Sequence, residues 1–215
     1  MRHLALGDSI SIDNYTGVPG GGAASQFGRL IGAEEVQDLS YDGCTTAGVL
    51  EALGRVSIRP DVVTLTACGN DFLERTFGVS RKKSHPDWLG DVAEPAIVNL
   101  ERICDRLARF ACPVILNTIY DPTEGDDSLS QQFGLPTESR IAFEAINDRI
   151  RQLARQRGFL LSDLEDLCRG HGVTADDTWF TLQIEPNHAG ATAIARHWYS
   201  LWIARDDGPR TSDLA

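Results

Sequence analysis

At 215 residues, 42% hydrophobic and 24% charged, the chain has the composition of a folded globular protein and excludes a disordered one. Twenty basic against 31 acidic residues leave a net charge of −11, a surface that repels phosphate backbones and argues against a nucleic-acid partner. No apolar run approaches the roughly 18 residues that a membrane helix needs. The opening, Met1 to Ser9, leaves no room for a signal peptide's apolar stretch. The five cysteines (Cys44, Cys68, Cys104, Cys112 and Cys168) are an odd number with no CxxC pair, which fits free thiols better than a disulfide framework or a zinc site. A reducing, cytoplasmic setting is therefore expected. One α/β domain over 1–215 is expected, with about ten C-terminal residues as a flexible tail.

In chain order, short apolar runs alternate with longer amphipathic ones. Strands are expected at His3–Leu6, Glu35–Leu39, Asp61–Ala67, Pro113–Ile119 and Gly158–Ser162. The third and fourth carry the β-branched density of buried parallel strands. Ala96, Leu100, Ile103, Leu107 and Phe110 step by four and three residues along one helix face, ending before Pro113. Ile141, Ile146, Ile150 and Leu153 mark a second helix, which Thr137 would cap. Ala191, Ile194, Ala195, Trp198 and Trp202 mark a third. Strand–helix alternation predicts a parallel sheet covered on both faces, and chemistry in such sheets gathers at the carboxyl ends of the strands.

Those ends carry a recognisable set of groups. The first strand runs into Gly7-Asp8-Ser9, where a glycine turn can present a serine hydroxyl at the sheet's upper edge. The second leads to Asp42-Gly43-Cys44-Thr45-Thr46, with Gly43 able to lend a backbone N–H to an anion. The third ends in Cys68-Gly69-Asn70-Asp71, and the Asn70 amide is a donor suited to a developing oxyanion. Each feature alone has an ordinary structural explanation; their joint occurrence is far more specific.

On these segments the sequence resembles the GDSL-type esterases of the SGNH hydrolase family. The resemblance implies a flavodoxin-like three-layer α/β/α sandwich with a central parallel sheet of about five strands. It also implies hydrolysis of small-molecule carboxylic esters, with no cofactor and no metal. By the same resemblance Ser9 is the nucleophile, and Ser9, Gly43 and Asn70 form the oxyanion hole.

The family's last block, Asp-x-x-His followed by Pro-Asn-x-x-Gly, is out of register here. In Leu182-Gln-Ile-Glu-Pro-Asn-His-Ala-Gly190, aligning Pro-Asn-x-x-Gly puts Glu185 where the histidine belongs and Leu182 where the aspartate belongs. Aligning acid-x-x-His instead makes Glu185 the acid and His188 the base. Chemistry favours the second, because an imidazole suits proton transfer near neutrality better than an ordinary carboxylate. The catalytic set is thus expected to be Ser9, His188 and Glu185, working through an acyl-enzyme on a small or medium acyl group. Two alternatives stand beside it: a hydrolase with Glu185 itself as base, and a catalytically impaired ligand-binding protein on the same scaffold.

Other features carry less. Gly17–Gly22 lacks a P-loop's Lys-Ser/Thr and reads as a mobile loop near Ser9. Arg81-Lys-Lys83 reads as a solvated loop, and Asp176 and Asp177 as solvated turn residues. Of the remaining histidines, His3 precedes the first core strand, His85 is in a loop, His171 is in a turn and His197 lies within the last helix. Trp179 and Phe180 would line an acyl pocket or pack in the core.

Overall fold

The structure is a computed structural model, and it describes residues 1–77 and 86–205. The basic run Arg81–Lys83, His85 and the expected C-terminal tail lie outside the described residues. In chain order the elements are β1 (Arg2–Leu6), α1 (Ala23–Leu30), β2 (Glu35–Asp38), α2 (Thr46–Ala52), β3 (Val62–Leu65), α3 (Gly69–Phe77), α4 (Glu94–Leu107), β4 (Val114–Asn117), α5 (Asp127–Gln132), α6 (Arg140–Arg157), β5 (Leu160–Ser162), α7 (Leu164–Leu167), β6 (Phe180–Thr181), β7 (Glu185–Pro186) and α8 (His188–Ala204).

Strands β1 to β5 form one parallel sheet in the order β2-β1-β3-β4-β5, the doubly wound, flavodoxin-like order. All five expected strands are present, each within two residues of its expected bounds. The alternation of side chains along them sorts the core into two layers. Leu4, Leu6, Val63, Leu65, Val114 and Leu116 face α2, α4 and α6, where Leu100, Ile103, Ile146 and Ile150 are fully buried. Val62 and Ile115 face α1 and α8, packing with Phe27, Ile194 and Trp198.

The α1–α8 layer also buries hydrogen-bonded polar groups. His3 Nε2 meets Thr64 Oγ1 at 2.9 Å, and Trp198 Nε1 donates to Asn117 Oδ1 at 2.7 Å. Burial pushes the His3 imidazole down to about 3, so it is neutral in the folded chain. All five cysteines are free thiols.

Two local expectations change. Thr137 does not cap α6, because residues 137–139 form a 3-10 turn that delivers the chain to Arg140 already helical. Its hydroxyl instead accepts from Gln131 Nε2. Ile141 is 51% exposed, so the buried stripe of α6 is Ala142, Ile146, Asn147, Ile150, Leu153 and Ala154. The glycine-rich loop carries hydrogen bonds of its own. Asp13 accepts from the N–H groups of Gly20 (2.9 Å) and Gly22 (2.8 Å), and Gln26 Nε2 donates to the Gly21 carbonyl.

Candidate active site

Where β1 and its two neighbours end, the order of the sheet reverses direction, and this is where doubly wound folds open a crevice. Gly7 makes the exit from β1 possible. Its φ is +132°, and a side chain there would collide with the Thr66 carbonyl and hydroxyl. The Asp8 N–H donates to Thr66 Oγ1 at 3.1 Å, and the Ile10 N–H to Asp8 Oδ1 at 3.2 Å. Ser9 is thereby set on a tight turn at the sheet edge, 8% exposed. Asp8 is buried beside it, and that burial raises its carboxyl to about 6.

The loops after β2 and β3 are joined side by side. Asn70 Nδ2 donates to the Cys44 carbonyl at 3.1 Å, which leaves its second N–H available. Asp71 accepts from both the Thr46 N–H (2.8 Å) and the Thr46 hydroxyl (2.6 Å), locking the start of α3 to the start of α2. Gly43 sits at φ +74°, in the left-handed region. Cys68 also has positive φ (81°), a strained turn that aims the chain from β3 into Gly69 and Asn70. Among the described residues the N–H groups of Ser9 and Gly43 have no hydrogen-bond partner.

The fourth element is the hairpin β6–β7, which pairs Phe180 with Pro186 and Thr181 with Glu185. Leu182 and Gln183 turn it at positive φ, with Leu182 70% exposed. The residues after Glu185 start the last helix. Asn187 caps α8, its Oδ1 accepting from the Gly190 N–H at 3.1 Å while its Nδ2 donates to the Thr178 carbonyl at 2.7 Å. Gly190 lets α8 close onto the Trp179 main chain, which a side chain would block. Pro186, Asn187 and Gly190 thus build the start of the last helix, and Glu185 is the residue that precedes them.

Glu185 is 7% exposed. Burial raises its carboxyl to about 7; a hydrogen bond from Ser9 opposes that rise, and the charges of Asp42 and Asp8 add to it. Its Oε2 is buried with no hydrogen-bond partner. The Asp42 carboxylate beside it accepts from the Tyr15 hydroxyl at 2.8 Å. His188 is the first residue of α8 and is exposed. Among the described residues no ion pair within 4.0 Å joins its ring to Glu185, and no hydrogen bond joins it to Ser9.

The structure therefore brings Ser9, Asn70 and Glu185 together, with Gly43 on the loop that Asn70 grips, and leaves His188 facing solvent. Of the other candidates, His171 stacks on Trp179 at 3.8 Å and pairs with Asp177 at 3.0 Å. Phe180 packs in the core against Tyr120.

An apolar cavity of about 110 Å³ opens beside Ser9, with Asp8 and Asn70 also lining it. Its walls include Phe72, Leu73, Ile119, Phe133, Leu135 and Phe143. One wall depends on Asn147, whose fully buried amide accepts from the Ile119 N–H and donates to the Ile119 carbonyl, both at 2.8 Å. Tyr120, three residues beyond β4, lines the same cavity and donates its hydroxyl to the Ile184 carbonyl at 2.5 Å. Sequence reasoning missed both residues, although the rule that sends attention to strand carboxyl ends points at Tyr120 too. Among the described residues no group of three or more His, Cys, Asp or Glu side chains is arranged to hold a metal ion. No helix among them is long and apolar enough to cross a membrane.

A serine at the end of β1, N–H groups at the ends of β2 and β3, and an apolar cavity beside them fit a hydrolase of the doubly wound type. The chain belongs to the GDSL-like Lipase/Acylhydrolase family, whose pattern it matches over residues 5–193. Solved structures share the fold at low sequence identity. The lipase Lip_vut3 from a goat rumen metagenome is 17% identical, with a TM-score of 0.73, over 94% of this chain and 97% of that one. LAE5, an alpha/beta hydrolase enzyme from the metagenome of Lake Arreo, is 20% identical, with a TM-score of 0.66, over 93% and 94%. An extracellular lipase from Streptomyces rimosus is 20% identical, with a TM-score of 0.62, over 94% and 99%. No curated protein matches the chain in sequence.

Proposed function

We propose that the protein is a serine esterase in which Glu185 is the general base. Ser9 Oγ attacks the ester carbonyl while Glu185 takes its proton. The tetrahedral oxyanion is received by the N–H groups of Ser9 and Gly43 and by the Asn70 amide. Collapse expels the alcohol, which regains the proton from Glu185, and leaves Ser9 acylated. Water activated by the same carboxylate then releases the acid and restores Ser9.

The single observation that carries this reading is the burial of Glu185, 7% exposed, with its carboxyl raised to about 7 beside Ser9. An ordinary carboxylate is too weak a base for this work, but a carboxyl lifted to about 7 has the basicity of a histidine. The register points the same way, since Asn187 and Gly190 do the structural work of the family's Pro-Asn-x-x-Gly segment.

The cavity supports a small or medium acyl group. At about 110 Å³ it is somewhat smaller than the ~150 Å³ apolar cavity that accommodates benzene, so an acyl chain of about four to six carbons fills it. The polar residues on its rim are already paired with one another, as in Thr123 with Ser130 and Arg140 with Asp127, which suits an apolar occupant.

A second reading rests on Leu182, which stands exposed where the family carries its acid. In that reading the scaffold binds esters without turning them over. A chromogenic acyl-ester series from two to twelve carbons, run on the wild type and on Ser9→Ala, separates the two. Ser9-dependent turnover peaking at four to six carbons is the expected result. Saturable ester binding with no Ser9-dependent turnover at any length would establish the second reading.

A further inference from the structure

In a serine hydrolase with a histidine base, a carboxylate holds the base in place. Glu185 has no such partner: its Oε2 is buried and unpaired, and the residue three before it is the exposed Leu182. It also stands on a hairpin whose strands are only two residues long. Something else must keep this carboxylate against Ser9.

The buried phenol of Tyr120 meets that need. Its hydroxyl donates to the carbonyl of Ile184, the residue immediately before Glu185, across a separation of 64 residues. Its ring packs on Phe180, at 4.8 Å between centroids, on the opposite strand of the hairpin. One side chain thus grips both strands. Tyr120 is itself anchored, because its neighbour Ile119 is clamped at both main-chain polar groups by Asn147 from α6. A continuous set of contacts therefore runs from α6 through the end of β4 to the base.

We propose that Tyr120 is a positioning residue that orients Glu185 through the main chain, in place of the missing acid. This inference rests on Glu185 being the base. Holding the hairpin closed also keeps water from Glu185. The groups that face the carboxyl are Asp8 and Ser9 after β1, Tyr15 before α1, Asp42 before α2 and Tyr120 after β4. Tyr15 and Tyr120 are held above their ordinary range and stay neutral near pH 7, so none of these groups is cationic there.

The test is Tyr120→Phe, which keeps the ring in the cavity and removes only the donor. With a neutral butyrate or hexanoate ester, kcat is expected to fall about 10- to 100-fold while KM stays within about twofold, since a slightly misplaced base loses rate and not binding. The acid limb of the kcat/KM profile is expected to move down from about 7 as water reaches Glu185. A purely structural role would lower the melting temperature and leave that limb in place.

Glu185→Gln is measured alongside. If it keeps wild-type turnover, the base assignment fails and this inference with it. If it loses turnover while Tyr120→Phe keeps both the wild-type kcat and the limb near 7, the positioning role alone is overturned. Should Tyr120→Phe not fold, Phe180→Leu releases the ring from its partner while keeping most of the core volume. A smaller shift of the same kind supports the role, and a wild-type kcat and limb contradict it.

Discussion

The two halves of the site are built differently. Ser9, Gly43 and Asn70, the proposed nucleophile and oxyanion donors, sit on the ends of three adjacent strands of a five-stranded sheet, cross-braced by the Asn70–Cys44 and Asp71–Thr46 hydrogen bonds. Glu185, the proposed base, sits on a hairpin outside that sheet, held by one phenol below and one helix cap behind. On the sheet side the Asn70 and Asp71 side chains are hydrogen-bonded across the loops. On the hairpin side a carboxyl oxygen is buried without a partner. Under the proposed mechanism, the sheet fixes where acyl transfer occurs, while the hairpin sets the basicity that drives it, through burial.

Substitutions on each side break or sharpen this contrast. The largest effect is expected from Ser9→Ala, which removes the attacking atom and should lower kcat by at least about 10⁴-fold on any ester. Glu185→Gln should follow at about 10²–10⁴-fold, since the amide keeps the shape and loses the proton acceptor. Asn70→Ala removes one oxyanion donor and should cost about 10²–10³-fold in kcat with little change in KM. All three are checked by steady-state kinetics on one butyrate ester.

The smallest effect is on stability, and it runs against activity. The Glu185 pKa is raised in the folded chain, so the native state holds its proton more tightly than the unfolded one does. The stability this contributes is present below about 4.5 and is lost as pH rises through about 7. Glu185→Gln should therefore melt higher than the wild type at pH 8, by a few degrees at roughly 2–4 °C per kcal/mol, and match it near pH 4. A lower melting point at pH 8 would show that the unpaired carboxylate does not carry the burial cost assigned to it.

Much of the sheet side was legible in the sequence. Buried parallel strands announce themselves as β-branched runs, so Val62–Leu65 and Val114–Asn117 stood out. Gly7 and Gly43 occupy positive-φ turn positions that favour glycine, which sequence displays directly, and Asn70 follows at the start of α3. The hairpin side was less legible for a physical reason. His188 had the better intrinsic pKa, and nothing local showed that Glu185 would be buried. Basicity there comes from desolvation by residues far away in the chain. Tyr120 was hidden likewise, since its partner is a main-chain carbonyl 64 residues on. Thr137 misled because a hydroxyl near a helix start resembles a cap whether or not a 3-10 turn intervenes.

The assignment of the base is tested most directly by the pH dependence of kcat/KM for a neutral butyrate ester, in the wild type, His188→Ala and Glu185→Gln. A single acid limb near 7, unmoved and within about twofold in height in His188→Ala, with turnover lost in Glu185→Gln, is the predicted result. Turnover lost in His188→Ala and retained in Glu185→Gln would contradict it.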